Sequence, residues 1–219
     1  MDFENGSGND PTPFLFSATL IGVYNIKNMK NMKELLDYIR SLPKNLIVLI
    51  NVKSVDYQKT NIEILRVLAN EENLPGVYIT VNKPYKTMKR ILEEEGIKTD
   101  NLFFIDCITK TSGGEIDQND KKVFYLDTPE NLTGIGVAMG EAIRHIPSED
   151  KFLFMDSLST LLIYRSVGTV AKFSHFLTGR MRVWGLRGIL MSVEKETDPE
   201  FISQLTQFCD AVITLDENG

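Results

Sequence analysis

Uninterrupted apolar stretches of strand length alternate with helical stretches along most of this chain, and this alternation constrains its fold more than any other feature. Strands with no polar face are typical of a mostly parallel sheet that helices cover on both sides. We therefore predict an α/β fold, a single three-layer α/β/α domain. The predicted strands are Leu46–Val52, Gly76–Val81, Leu102–Cys107, Phe152–Asp156, Gly188–Val193 and Ala211–Leu215, with Val123–Leu126 as a short extra strand.

Helices are predicted between these strands from apolar residues at helical spacing. The clearest pattern begins at Met32, repeats its apolar positions up to Leu42 and stops at Pro43. The helical stretch Leu158–Trp184 is predicted as one long region. The remaining predicted helices are Ile62–Asn70, Tyr85–Glu95, Thr133–Ile146 and Pro199–Phe208.

The N-terminal part differs from the rest of the chain. Residues 1–13 are polar and aperiodic and are expected to be a mobile leader, followed by an N-terminal strand and helix in residues 14–44 and the core domain in residues 45–217. The strand Phe14–Val23 is apolar and would promote aggregation if unpaired. We therefore expect it to pair with its own sheet edge or with another subunit, which makes a homo-oligomer or a protein partner an expectation of the sequence.

Composition narrows the function classes. Lys and Arg number 24 against 30 Asp and Glu, so the formal net charge is −6 and nucleic-acid binding is disfavoured. No stretch approaches the roughly 20 apolar residues of a membrane span, and no basic leader precedes an apolar segment. We therefore expect a cytoplasmic protein with no membrane association. The two cysteines, Cys107 and Cys209, are interpreted as buried free thiols.

A Lys-Thr pair follows the first core strand, where α/β proteins gather their ligands. The segment from Lys53 to Thr60 has the length of a Walker A loop, with Lys59 and Thr60 in its Lys-[Ser/Thr] positions. Lys53 and Gln58 occupy its two glycine positions. Glycines there let backbone N–H groups surround phosphates, so side chains would fill or distort that nest. Taken alone, the pair is more readily a surface Lys-Thr.

The strand Phe152–Asp156 has the form of a Walker B strand, with apolar residues that end in an aspartate. In nucleotide-bound proteins of that kind the carboxylate orders Mg²⁺ directly or through water. The alternative is that Asp156 only caps the next helix, for which Ser157 and Ser159 are also good N-caps.

The order of these segments resembles the KaiC-like branch of the RecA superfamily of P-loop ATPases over residues 45–217. The resemblance rests on Glu93-Glu-Glu-Gly-Ile97, on Phe154-Met-Asp-Ser-Leu-Ser159 and on Asp210-Ala-Val-Ile-Thr-Leu215, together with the degenerate Walker A loop. It implies that Lys59, Thr60 and Asp156 would contact a nucleotide, with Thr60 and Asp156 holding Mg²⁺ if one binds. Mg-ATP is then a possible but weak ligand.

The resemblance also identifies a loss. Active KaiC-like proteins carry two glutamates after the strand that matches Val77–Val81, and one of them activates water. Here those positions are Asn82 and Lys83, and neither side chain is a general base at neutral pH. We therefore expect no catalytic residue and a non-hydrolysing pseudo-ATPase that acts as a regulatory or assembly module. The alternative is an ATP-binding ATPase or nucleotide switch that uses Lys59, Thr60 and Asp156.

Other clusters are interpreted structurally. Gly134, Gly136 and Gly140 lie in an apolar helix, where small residues allow close packing. His145 and His175 have no second ligand at metal-binding spacing. The basic residues are either a solvated face or a docking patch for an acidic partner; they are Arg165, Lys172, Arg180, Arg182 and Arg187.

Overall fold

A computed structural model of the protein describes residues 25–194 and 199–216. The expected leader 1–13 and the expected strand Phe14–Val23 lie outside the described residues. Among the described helices, none has the length and apolarity that a membrane crossing requires.

The described strands form one eight-stranded sheet with the order β1-β8-β2-β7-β6-β3-β4-β5. Every neighbouring pair in this sheet is parallel. This confirms the α/β class and the parallel sheet predicted from the apolar stretches. The strands are β1 (Asn25–Met29), β2 (Ile47–Val52), β3 (Gly76–Thr80), β4 (Leu102–Asp106), β5 (Val123–Tyr125), β6 (Phe152–Asp156), β7 (Arg187–Val193) and β8 (Ala211–Leu215).

Helices connect the strands and cover both faces of the sheet. They are α1 (Met32–Ser41), α2 (Tyr57–Leu65), α3 (Tyr85–Glu94), α4 (Leu132–Arg144), α5 (Leu158–Leu161), α6 (Val167–Val183) and α7 (Pro199–Thr206). Helix α2 continues directly into a π-helical segment, Arg66–Glu71. Helices α1 to α3 pack on one face and α4 to α7 on the other.

The two faces of each central strand enter different cores. On β2, Val48 and Ile50 join the core under α1 to α3, whereas Ile47 and Leu49 join the core under α4 to α7. All six residues of β2 are buried, which explains why its sequence has no polar alternation. The same burial holds for β3, β6 and β7.

Three elements differ from the sequence-based prediction. Strand β1 was not predicted, because the sequence Asn25-Ile-Lys-Asn-Met29 is mostly polar; it forms at the sheet edge by pairing with β8. Helix α2 begins at Tyr57, earlier than the predicted Ile62, and leaves only residues 53–56 as a loop after β2.

The third difference is in the predicted helical region Leu158–Trp184, which forms two helices instead of one. Ser166 has extended backbone angles and caps α6 by accepting a hydrogen bond from the Thr169 N–H group. An extended residue cannot continue a helix, so Ser166 separates α6, which begins at Val167, from α5, which ends at Leu161.

Candidate functional site

The carboxyl ends of the parallel strands meet at one edge of the sheet, where α/β proteins bind ligands. Strands β6, β3 and β4 are neighbours, and their final residues Asp156, Thr80 and Asp106 lie in register. Both aspartates are buried at this edge. A buried carboxylate requires hydrogen-bond donors, and the two carboxylates obtain theirs in different ways.

Asp156 is held by side chains from three separate segments. It is 2% exposed. Its Oδ1 accepts hydrogen bonds from the Tyr57 hydroxyl and from Asn82 Nδ2, the latter at 3.0 Å, and its Oδ2 accepts from the Tyr78 hydroxyl. Both carboxylate oxygens are therefore engaged within the protein.

Tyr57 and Tyr78 remain donors over the physiological pH range. Burial in the first place, and then the negative charge of Asp156, raises the pKa of each phenol well above its ordinary value of 10.0. A neutral phenol has one hydrogen to donate, and in both residues Asp156 receives it. Asp156 thus accepts hydrogen bonds from all three side chains, those of Tyr57, Tyr78 and Asn82.

The local sequence explains how the two tyrosines reach Asp156. Tyr78 lies directly opposite Phe154 in the β3–β6 pairing, and the two rings stack with centroids 5.2 Å apart. That stacking aligns the Tyr78 hydroxyl with the next inward residue of β6, which is Asp156. Tyr57 is the first residue of α2, and its buried side chain extends from the loop after β2 to the same carboxylate.

Asn82 connects the end of β3 to the segment after β6. Its amide nitrogen donates to Asp156, and its amide oxygen accepts a 2.6 Å hydrogen bond from the Thr160 hydroxyl. Ser157 caps α5 by accepting from the Thr160 N–H group. The peptide bond between Asp156 and Ser157 is cis.

The Lys53–Thr60 segment consists of the loop 53–56 and the first turn of α2. Residues 53–60 are all described, and none of them has a positive φ. The Thr60 hydroxyl is fully buried and donates to the Asp56 carbonyl at 2.8 Å. Lys53 is turned away from the cluster and forms a 2.7 Å ion pair with Asp216, a hydrogen bond that raises the pKa of Lys53.

Of the predicted nucleotide contacts, only Asp156 belongs to the buried cluster. Lys59 is exposed on α2, and Thr60 is turned back onto its own helix. Sequence reasoning missed Tyr57 and Tyr78. The sequence contained a sign of each. Tyr57 lies inside the Walker A pattern, and Tyr78, with its hydroxyl group, is the one polar side chain among the first four residues of the buried strand β3.

Asp106 forms a second anchor at the same edge, made mostly of backbone groups. Its carboxylate accepts from the N–H groups of Tyr85, Ile108 and Thr109 at 2.6 to 2.8 Å, and from the Thr109 hydroxyl. These bonds fix the start of α3 and the turn after β4. Asp106 therefore has a structural role that the sequence did not indicate.

The remaining reactive side chains form no site in the part of the chain that the structure describes. No group of three or more possible metal ligands occurs among those residues. His175 packs against Phe208 with ring centroids 4.9 Å apart. Both cysteines are free and buried, and burial raises the pKa of Cys209 to about 12, so it is an unreactive thiol at neutral pH.

The protein is an α/β domain with one parallel sheet, and two solved structures, one of them of a KaiC-like protein, share this fold. A KaiC-like protein from the hyperthermophilic archaeon Pyrococcus horikoshii superimposes with a TM-score of 0.56 at 15% identity, over 79% of this chain and 72% of that protein. An uncharacterized protein from the same organism, crystallised in complex with an unknown peptide, superimposes with a TM-score of 0.63 at 14% identity, over 86% of this chain and 84% of that protein. At these identities the likeness concerns the fold.

The chain belongs to a family of unknown function, DUF7504, whose model matches residues 54–215. No curated protein sequence matches the chain.

Proposed function

We propose that this chain is a non-hydrolysing RecA/KaiC-like protein, a pseudo-ATPase that serves as a regulatory or assembly module. The observation that carries the proposal is the hydrogen bond from Tyr57 to Asp156. It joins the segment that would bind phosphates to the carboxylate that would order Mg²⁺. The two groups on which P-loop chemistry depends are thereby bound to each other.

The residues at this edge fit Mg²⁺ poorly. Magnesium requires near-octahedral coordination by oxygen atoms and is held in nucleotide sites by a hydroxyl and a carboxylate. The Thr60 hydroxyl is fully buried against its own helix beside the Asp56 carbonyl, and both oxygens of Asp156 already accept hydrogen bonds. Oδ1 of Asp156 already accepts two hydrogen bonds, so coordination through that oxygen would compete with the Tyr57 hydroxyl, and a buried hydroxyl that loses its acceptor costs about 1–3 kcal/mol.

The same segment fits phosphate groups poorly. A phosphate nest requires consecutive N–H groups that point outward from a loop. Here α2 already begins at Tyr57, and the Thr60 N–H group donates to the Asp56 carbonyl at 2.9 Å. The Thr60 N–H group is therefore engaged within the helix and is not available to a bound phosphate.

No side chain at the end of β3 supplies a general base. Asn82 is an amide that is hydrogen bonded at both of its ends, to Asp156 and to Thr160. The neighbouring Lys83 is cationic at neutral pH. Water activation by a carboxylate, as the KaiC-like pattern requires, has no candidate at either position.

The alternative is a nucleotide switch that retains ATP binding through Lys59, Thr60 and Asp156. Its support is the exposure of Lys59, which forms no ion pair within the described residues. Two observations support a module that acts through assembly. The parallel sheet of the fold is complete among the described residues, and a structural neighbour is crystallised with an unknown peptide. That peptide is a property of the neighbour, and it favours a protein partner here.

Calorimetric titration of the full chain with Mg-ATP separates the two candidates, with phosphate release measured in parallel. We expect no saturable heat up to about 1 mM nucleotide, a limit equal to about 4 kcal/mol of binding free energy. Phosphate release should equal that of buffer alone. Micromolar binding that Lys59→Ala abolishes and the control Lys86→Ala on α3 retains would establish the switch instead. Turnover near about 1 s⁻¹ would contradict the proposal outright.

A further inference from the structure

A groove of 630 Å³ lies between α4 and α6, on the sheet face opposite to Tyr57. Its floor is apolar and includes two large side chains that are unusually exposed. Val137 of α4 is 68% exposed and Phe176 of α6 is 48% exposed. Exposed apolar side chains that face each other across a groove are typical of a surface that a partner covers.

Glycines of α4 create the depth of this groove. A Cβ atom at Gly136 would lie 2.8 Å from the Phe176 ring, and one at Gly140 would lie 3.5 Å from the Trp184 ring. Without side chains at these two positions, the rings of α6 lie against the backbone of α4. Each glycine inside a helix costs about 1 kcal/mol relative to alanine, so the helix gives up stability where the groove is formed.

The rim of the groove is basic, although the chain as a whole is acidic. Arg144, Lys172 and Arg180 line it, and no acidic side chain does. Arg144 has a partner on its own helix, Glu141. Lys172 and Arg180 form no ion pair among the described residues, and the Arg180 guanidinium lies 4.1 Å from the Trp184 ring centroid.

The other three residues of the basic cluster found in the sequence have ion-pair partners within the protein. Arg187 is 5% exposed and pairs with Glu72. Arg165 pairs with Glu130, and Arg182 pairs with Asp210. Of the five cations, Arg187 is buried and Arg165 and Arg182 are paired at the surface, whereas Lys172 and Arg180, which form no ion pair among the described residues, line the groove.

We infer that the α4–α6 groove binds an acidic amphipathic helix of a partner protein. Val137 and Phe176 would receive its apolar side chains, and Lys172, Arg180 and Arg144 would face carboxylates on its flanks. Helices bind such grooves through apolar anchors at i, i+3, i+4 and i+7. The groove side of α6 from Thr169 to Arg180 is about 16 Å long at 1.5 Å per residue, enough for three turns of a bound helix.

Charge selects this occupant over others. A nucleic acid would require a row of cations along its phosphates, whereas the centre of this groove is apolar and the net charge of the chain is −6. An acidic amphipathic helix instead offers apolar side chains to the apolar groove and carboxylates to the basic residues at its rim. The inference rests on the proposed assembly role but not on the state of the nucleotide edge, because Tyr57, Thr60 and Asp156 do not line the groove.

A displayed library of helical peptides, selected on the full chain, tests the inference. Val137→Glu places a carboxylate in the groove at an exposed position, and Ile163→Glu is a matched control, since Ile163 is 75% exposed and does not line the groove. We expect enriched peptides that are acidic and apolar at helical spacing. Their affinity should fall at least about tenfold, or about 1.4 kcal/mol, on Val137→Glu and remain unchanged on Ile163→Glu.

A charge reversal examines the rim separately. Lys172→Glu should lower the affinity of the same acidic peptides, whereas Lys86→Glu, in α3 on the opposite face of the sheet, should leave that affinity unchanged. The inference would be overturned if the wild-type chain enriched no peptides beyond those enriched by the Val137→Glu variant. It would also be overturned if the enriched peptides were basic. A dimer of the chain that Val137→Glu dissociates would identify a second copy as the occupant and overturn it as well. Micromolar Mg-ATP binding with intact peptide binding would contradict only the pseudo-ATPase proposal.

Discussion

Tyr57 donates its phenolic hydrogen to Asp156, a residue 99 positions further along the chain. The bond joins the start of α2 to the end of β6 across the carboxyl edge of the sheet. In a P-loop ATPase these two segments hold the phosphates and Mg²⁺. In this protein a buried phenol joins the two segments.

Tyr57→Phe should destabilise the protein, because Asp156 loses one of its three side-chain donors while remaining buried. Hydrogen bonds to charged groups contribute about 1.5–3 kcal/mol, so we expect the free energy of unfolding to fall by about 2 kcal/mol. Urea denaturation measures the change. Tyr164→Phe is the control, since Tyr164 is only half-buried and should change stability by less than about 0.5 kcal/mol. If both variants lost the same free energy of unfolding, the hydrogen bond to Asp156 would contribute no more to stability than an ordinary surface hydroxyl.

Stability should decrease above pH 10, and the tyrosines that face Asp156 should account for part of the decrease. The pKa values of Tyr57 and Tyr78 are raised in the folded state above 10.0, so their contribution is complete below pH 10. It is lost as pH rises towards the folded-state values, because the unfolded chain releases these protons more readily.

The buried thiols of Cys107 and Cys209 have raised pKa values and act in the same direction. The informative quantity is therefore the difference between wild type and Tyr57→Phe. Denaturation curves from pH 8 to pH 11 should show a steeper loss in wild type. Parallel curves would indicate that the Tyr57 phenol ionises no differently in the folded and unfolded states.

Nucleotide affinity should rise when both obstacles to phosphate binding are removed. Lys53→Gly and Gln58→Gly restore the glycines of the loop pattern, and Tyr57→Phe releases Asp156 from the loop. We expect the triple variant to bind Mg-ATP at least about tenfold more tightly than wild type in calorimetry. Lys59→Ala added to the triple variant should remove the gain. A triple variant that folds but binds no better than wild type would show that the nest requires more than these residues.

The buried pair of Arg187 and Glu72 should be costly to break on one side. Arg187 Nη1 lies 2.7 Å from Glu72 Oε2, and neither Arg187 Nε nor Glu72 Oε1 has a hydrogen-bond partner within the described chain. Glu72→Ala leaves a buried cation alone, for which we expect a loss of about 3 kcal/mol. The double replacement Glu72→Leu, Arg187→Met should cost less than Glu72→Ala alone.

The surface pair of Arg90 and Glu94 gives the comparison, with both side chains largely exposed on α3. A double-mutant cycle there should return about 0.3–0.5 kcal/mol. Chemical denaturation of the five variants measures all of these values. If Glu72→Ala costs no more than Glu94→Ala, the buried position of the pair is energetically unimportant.

The sequence determined the order of strands and helices in the core, because burial on both faces requires continuous apolar strands. Leu46–Val52, Gly76–Val81 and Phe152–Asp156 were located within a residue of their observed bounds. Local sequence patterns did not predict the elements whose formation depends on residues distant in the sequence. Strand β1 forms only because β8 offers a free edge, and α2 begins early because Tyr57 has a buried partner.

What only the tertiary structure decided is the use of the polar residues. The sequence identified Asp156 as the end of a Walker B strand, but its acceptors are satisfied by hydroxyls from two other segments. Likewise, five basic residues near α6 were indistinguishable in the sequence, and packing left Lys172 and Arg180 beside an apolar groove while it paired Arg165, Arg182 and Arg187. Apolar burial follows from composition and period, whereas each polar group depends on a specific partner that only the folded chain brings within hydrogen-bonding distance.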